Sequence, residues 1–117
     1  MDSPLRLALL SLAATLVAGG GAQAASFNCE RARTPDELTI CATLKLNDQD
    51  VRMAQLYDIA QHLVAMGGRG AIQDDQQAWL RTRRACGADR TCLARAYTRR
   101  IAELNQVLER VYRQGPF

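Results

Sequence analysis

The chain has 117 residues, of which 48% are hydrophobic and 5% aromatic, with a formal net charge of +3. That length allows one small domain, and no strand pattern, internal repeat or low-complexity tract appears; no segment beyond the first apolar run approaches a membrane span. The charge is uneven: residues 25–75 hold five basic and eight acidic residues, and residues 76–117 hold nine arginines against three acids.

The first 24 residues read as a secretory leader. A short head carrying Arg6 precedes an apolar run from Leu7 to Val17, and small residues end in Ala22-Gln23-Ala24, an A-x-A site with cleavage expected after Ala24. The apolar run is too short and too rich in alanine and glycine for a membrane span of ~20 residues. Ser26-Phe27-Asn28 before Cys29 lacks the leucine and small residues that lipid attachment requires. The expected division is therefore a leader, 1–24, and one helical domain, 25–117, in a periplasmic or secreted location.

A domain of that size has a marginal core and calls for staples. All four cysteines, Cys29, Cys41, Cys86 and Cys92, lie in the exported part, which reads as two disulfides in an oxidising compartment. Of the three possible pairings, Cys29 with Cys41 and Cys86 with Cys92 are favoured because each brackets one turn or short helix. A zinc site is disfavoured, since C-x2-C spacing is absent and His62 is the sole histidine.

Residues 25–33 read as a polar strap anchored by Phe27. Thr34-Pro35-Asp36-Glu37 is a helix start, with Thr34 as N-cap, Pro35 at the first helical position and Glu37 closing a capping box. The short helix runs to about Cys41, with Leu38, Cys41 and either Glu37 or Ile40 turned inward. A second helix starts near Thr43 or Asn47 and continues to about Met66, with Leu46, Asp50, Met53, Tyr57, Ala60 and Val64 recurring at spacings of three and four. Asp50 interrupts that apolar stripe. Gly67-Gly68-Arg69-Gly70 is expected to break the helix as a flexible loop.

The third helix covers about Ala71 to Cys86, with Ile72, Gln76, Trp79, Arg83 and Cys86 on one face. Gly87 is a helix stop and Asp89 an N-cap for a fourth helix from about Arg90 to Tyr112, whose inward face includes Leu93, Tyr97, Arg100 and Leu104. The fold class is thus all-α, a small disulfide-stapled bundle of one short and three longer helices. Two acids, Glu37 and Asp50, and two arginines, Arg83 and Arg100, sit on apolar faces with Gln76 among them. Opposite charges in equal number predict an inward polar network that fixes helix register.

Catalytic provision is poor. Beyond the leader the only serine is Ser26, His62 has no neighbouring nucleophile, and the glycine run lacks the strand and lysine of a phosphate loop. No cofactor is expected. The basic second half lacks interleaved aromatics for base stacking, and export argues against nucleic acid. Binding is the expected output.

The pattern Q-x-x-W-x-x-x-R-x-x-C at Gln76, Trp79, Arg83 and Cys86, followed by Cys92-Leu93, Tyr97 and Arg100-Ile101, resembles the lysozyme inhibitor LprI N-terminal domain family. Phe27-Asn28-Cys29, Thr34-Pro35, Glu37, Ile40-Cys41-Ala42, Asp50 with Tyr57, and Leu104 extend the resemblance over nearly the whole chain after the leader. It implies a small exported helical protein that inhibits c-type lysozyme as a protein partner. The alternative is an envelope structural or stress-related module whose basic face meets anionic lipid or another envelope protein. The chain departs from the family at Gln49, where leucine is frequent, and in having no lipid-attachment context. Arg69, on the glycine run, and Arg90, at the corner before the fourth helix, are the candidates for insertion between two cleft carboxylates.

Overall fold

Four helices follow a single 3-10 turn in the computed structural model, which describes residues 25–114 apart from the Met66 side chain. The expected leader and the chain end at 115–117 lie outside the described residues. The 3-10 turn is Cys29–Arg31; α1 is Pro35–Ala42, α2 Leu44–Leu63, α3 Met66–Ala85 and α4 Arg90–Arg113. The chain is all-α, with no strand among the described residues.

Local chemistry explains the boundaries. Pro35 opens α1 behind Thr34, whose hydroxyl donates to Glu37 Oε1 at 2.7 Å in place of bonding a backbone amide. Thr43 alone separates α1 from α2: its extended backbone ends one helix and starts the next. At the other end of the chain Gly87, at φ +57°, takes the left-handed conformation that closes α3. Asp89 then caps α4, its Oδ1 accepting from the Cys92 N–H at 3.0 Å.

The expected loop at Gly67-Gly68-Arg69-Gly70 is not one. These residues form the first turns of α3, and the break falls earlier, at Val64 and Ala65, both extended. Two extended residues suffice to reverse the chain, and the helix then begins because Gly68 and Arg69 amides both bond to Ala65 O. Arg69 Nε also donates to Gln61 O at 2.8 Å, satisfying a carbonyl at the end of α2.

The core lies chiefly between α2 and α4. Leu46, Met53 and Ala60 from α2 meet Leu93, Tyr97, Leu104 and Leu108 from α4, with Ile72 and Trp79 from α3 and Ile40 from α1. Trp79 and Tyr97 pack edge to face with ring centroids 5.1 Å apart, and the indole Nε1 donates to Ala96 O at 2.9 Å. Leu38, expected inward, is 51% exposed. The eight-residue helix α1 has turned so that Asp36 and Ile40, one turn apart, face the core.

Candidate functional site

Both cysteine pairs form as the spacing suggests, Cys29 with Cys41 and Cys86 with Cys92. The first ties the 3-10 turn to the end of α1, and the second closes the corner between α3 and α4. Each staples one chain reversal.

The inward charges assemble around Arg83. Its Nε donates to Asp36 Oδ2 at 3.0 Å, and its Nη1 lies 3.6 Å from Asp50 Oδ1. The guanidinium carbon sits 5.3 Å from the Phe27 ring centroid and 5.8 Å from that of Trp79, so two aromatic faces shield the cation from water. Asp50, 0% exposed, also accepts from the Tyr97 hydroxyl and from the Ser26 backbone N–H, each at 2.7 Å. One carboxylate thereby joins α2, α3, α4 and the N-terminal strap.

Burial alone pushes the Asp36 carboxyl up. The Thr34 hydroxyl, the Arg83 guanidinium and the Glu37 backbone N–H outweigh it, and the group lies below the ordinary aspartate value. Asp36 Oδ1 has no hydrogen-bond partner among the described residues, so the Arg83 contact falls on Oδ2 alone. For Tyr97, burial and then the Asp50 charge push the phenol far upward, which keeps it a neutral donor. Burial works against the Arg83 cation, but the Asp36 and Asp50 carboxylates favour it, and its pKa lies above the ordinary arginine value.

A second cluster centres on Arg100. Its Nε donates to Gln76 Oε1 at 3.0 Å, Gln76 Nε2 donates to Met53 Sδ at 3.2 Å, and Arg100 Nη1 reaches Glu103 at 3.2 Å. Asp50, Gln76, Arg83 and Arg100 are therefore all inside, in two clusters. Glu37 belongs to neither: it is half-buried and holds Thr34, while its neighbour Asp36 takes the arginine. Successive helical residues point about 100° apart, and Asp36 shares its face with buried Ile40. The four-residue spacing to Ile40 is the signal that places Asp36 on the buried face, with Leu38 on the opposite side of the helix. The strap's bond from Ser26 has no sequence signature.

Concave surfaces flank these clusters. A furrow of about 470 Å³ beneath the strap is lined by Phe27, Glu37, Tyr57, Gln77, Leu80 and Arg83. A crevice of about 260 Å³ at the stapled corner is lined by Thr82, Cys86, Asp89, Cys92, Arg95 and Arg99. Arg90 is exposed on the first turn of α4, with no ion pair or side-chain hydrogen bond among the described residues. Arg69 is exposed as well, but its guanidinium is engaged at the end of α2. His62 is exposed on α2, with Nδ1 2.7 Å from Asp58 O. Among the described residues no group of three or more metal-ligating side chains forms, and no helix is long and apolar enough to cross a membrane.

The family model described as "Lysozyme inhibitor LprI" matches residues 28–104, from the strap to the middle of α4. That span includes both disulfides and the Arg83 cluster apart from Ser26 and Phe27, which lie just before it. No curated protein and no solved structure gives a significant match.

Proposed function

Because this chain belongs to the lysozyme inhibitor LprI family, we propose that it is an exported, non-enzymatic protein that binds a c-type lysozyme and blocks its cleft. The family match carries this reading. Three physical features support it. Disulfides persist in oxidising compartments outside the cytoplasm. The buried charges pair with one another and so hold the helices in register, as Arg83 does with Asp36 and Asp50. The stapled corner offers a surface whose backbone loses little entropy on binding, which favours affinity.

Arg90 is the residue we assign to the partner's carboxylates. It stands free on a corner held by the Cys86–Cys92 bridge and by the Asp89 cap, and a guanidinium suits bidentate contact with a carboxylate. Arg69 is better explained as a cap on α2.

A lysozyme turbidity assay tests the reading. Near-stoichiometric protein should arrest the clearing of bacterial cell walls, and a large excess without effect rejects inhibition. The arginine excess after residue 75 favours a second reading, an envelope module that meets anionic lipid. Co-sedimentation with vesicles containing anionic lipid, in the absence of lysozyme inhibition, would support it.

A further inference from the structure

The cluster around Arg83 is short of positive charge. Asp36 and Asp50 are both buried, 1% and 0% exposed, and share one guanidinium, with Asp36 the closer at 3.0 Å and Asp50 at 3.6 Å. The other partners of Asp50, the Tyr97 hydroxyl and the Ser26 N–H, are neutral. An unmatched buried carboxylate is costly unless a cation approaches it. The nearest stretch able to supply one is the strap itself, through the residue before Ser26.

We propose that hydrolysis of the Ala24–Ala25 bond by a leader peptidase completes this cluster, the α-ammonium freed on Ala25 becoming its second cation. The reaction consumes one water, leaves a carboxylate on Ala24 and an amine on Ala25, and the amine takes a proton at neutral pH. Ala25 is seated for the role. It is 8% exposed, it is one residue from the nitrogen that contacts Asp50, and it lines a groove on α2 with Val51, Ala54, Gln55, Asp58 and Ile59. Adjacent Cα atoms are about 3.8 Å apart, so the new ammonium stays within one residue of the Ser26–Asp50 contact, in a groove that Asp58 also lines.

The charged and titratable groups facing the strap favour a cation there. They are Asp50, Tyr57 and Asp58 from α2, Glu37 from α1, Arg83 from α3 and, through Asp50, Tyr97 from α4. Asp36 and Asp50 share the Arg83 guanidinium, Glu37 lines the furrow beside it, and Asp58 lines the separate groove with Ala25, where His62 Nδ1 lies 3.5 Å from its Oδ1. Ala25 is buried in the folded chain, so the bond is cut before the bundle closes. Leader removal and stable folding are thereby coupled.

The test uses the exported protein. Its intact mass should correspond to a chain beginning at Ala25; any other terminus overturns the proposal. Lys45 is the sole lysine, so two amines at most react on reductive methylation with ¹³C-formaldehyde, and the α-amine signal can be followed by NMR. Its titration midpoint should lie above the ordinary ~7.7–8.0 of an α-amino group, and fall toward that range in Asp58→Asn, an exposed site whose substitution leaves the core intact. Selective α-acetylation should lower the melting temperature at pH 7 by several degrees. A group whose pKa is raised on folding gives stability that is full below its unfolded pKa and lost as pH rises through its folded pKa. The two forms should therefore converge at about pH 10 and above. An α-amine titrating at the ordinary value, with acetylated and free chains melting together at pH 7, overturns the proposal.

Discussion

Arg83 Nε donates to Asp36 Oδ2 at 3.0 Å, with both side chains at or below 10% exposure, across 47 residues of sequence. The pair locks the rotation of α1 against α3. Removing one partner leaves a buried charge uncompensated, at a cost of roughly 3–5 kcal/mol. Asp36→Ala should therefore destabilise the protein by about that amount in urea titration, whereas Glu37→Ala, which releases only Thr34, should cost under about 1 kcal/mol. Equal effects at the two positions would remove Asp36 from the centre of the network.

Acid should unfold the protein through the same residue. The Asp36 pKa is depressed in the folded state, against its burial, by Thr34, Arg83 and the Glu37 amide. A depressed carboxyl contributes stability that is present above its unfolded value of ~3.9 and lost as pH falls through the folded value. Melting temperature should decline below about pH 4, and the decline should be shallower in Asp36→Asn. An unchanged slope in that variant would place the acid sensitivity elsewhere.

The helical glycines at the start of α3 offer stabilising substitutions. A Cβ at Gly67 or Gly70 meets nothing within 4 Å, and glycine in a helix costs about 0.5–1 kcal/mol relative to alanine. Gly67→Ala and Gly70→Ala should each raise the denaturation midpoint by that order. Gly87→Ala should lower it by about 1 kcal/mol, because φ there is +57°. Were residues 67–70 a flexible loop in solution, the first two changes would leave stability nearly unchanged.

The two bridges close loops separated by 12 and 6 residues. Chain-entropy arguments assign about 3 and about 2 kcal/mol to loops of those lengths. The Cys29→Ala/Cys41→Ala pair should melt lower than the Cys86→Ala/Cys92→Ala pair. Lysozyme inhibition should respond in the opposite order, since the second bridge shapes the corner that carries Arg90. Differential scanning calorimetry and the turbidity assay separate the two effects.

Arg90→Ala should weaken inhibition of c-type lysozyme by at least tenfold with a melting shift of under about 2 °C, while Arg69→Ala should lower stability by about 1 kcal/mol through the lost cap and leave potency intact. Against a lysozyme of net positive charge, added salt should speed association by screening repulsion from this chain's own net charge of +3. Slower association at high salt would point to a different, attractive contact surface.

Much of this architecture is legible in the residues themselves. Thr34-Pro35, Gly87 and Asp89 mark helix ends because caps and left-handed turns are local chemistry. Gln76, Trp79, Arg83 and Cys86 fall on one face because helical periodicity is local too. The cysteine pairing followed for the same reason, each bridge spanning one reversal.

What sequence spacing left open was rotation and partnership. An eight-residue helix carries too few apolar positions to fix its own phase, so whether Asp36 or Glu37 entered the core was decided by α3, which presents Arg83 to it. The glycine run became helix because the reversal had been completed at Val64 and Ala65, and Ser26 met Asp50 because the strap crosses α2. Each of these depends on contacts between segments distant in sequence, whose energies exceed the local preferences they override.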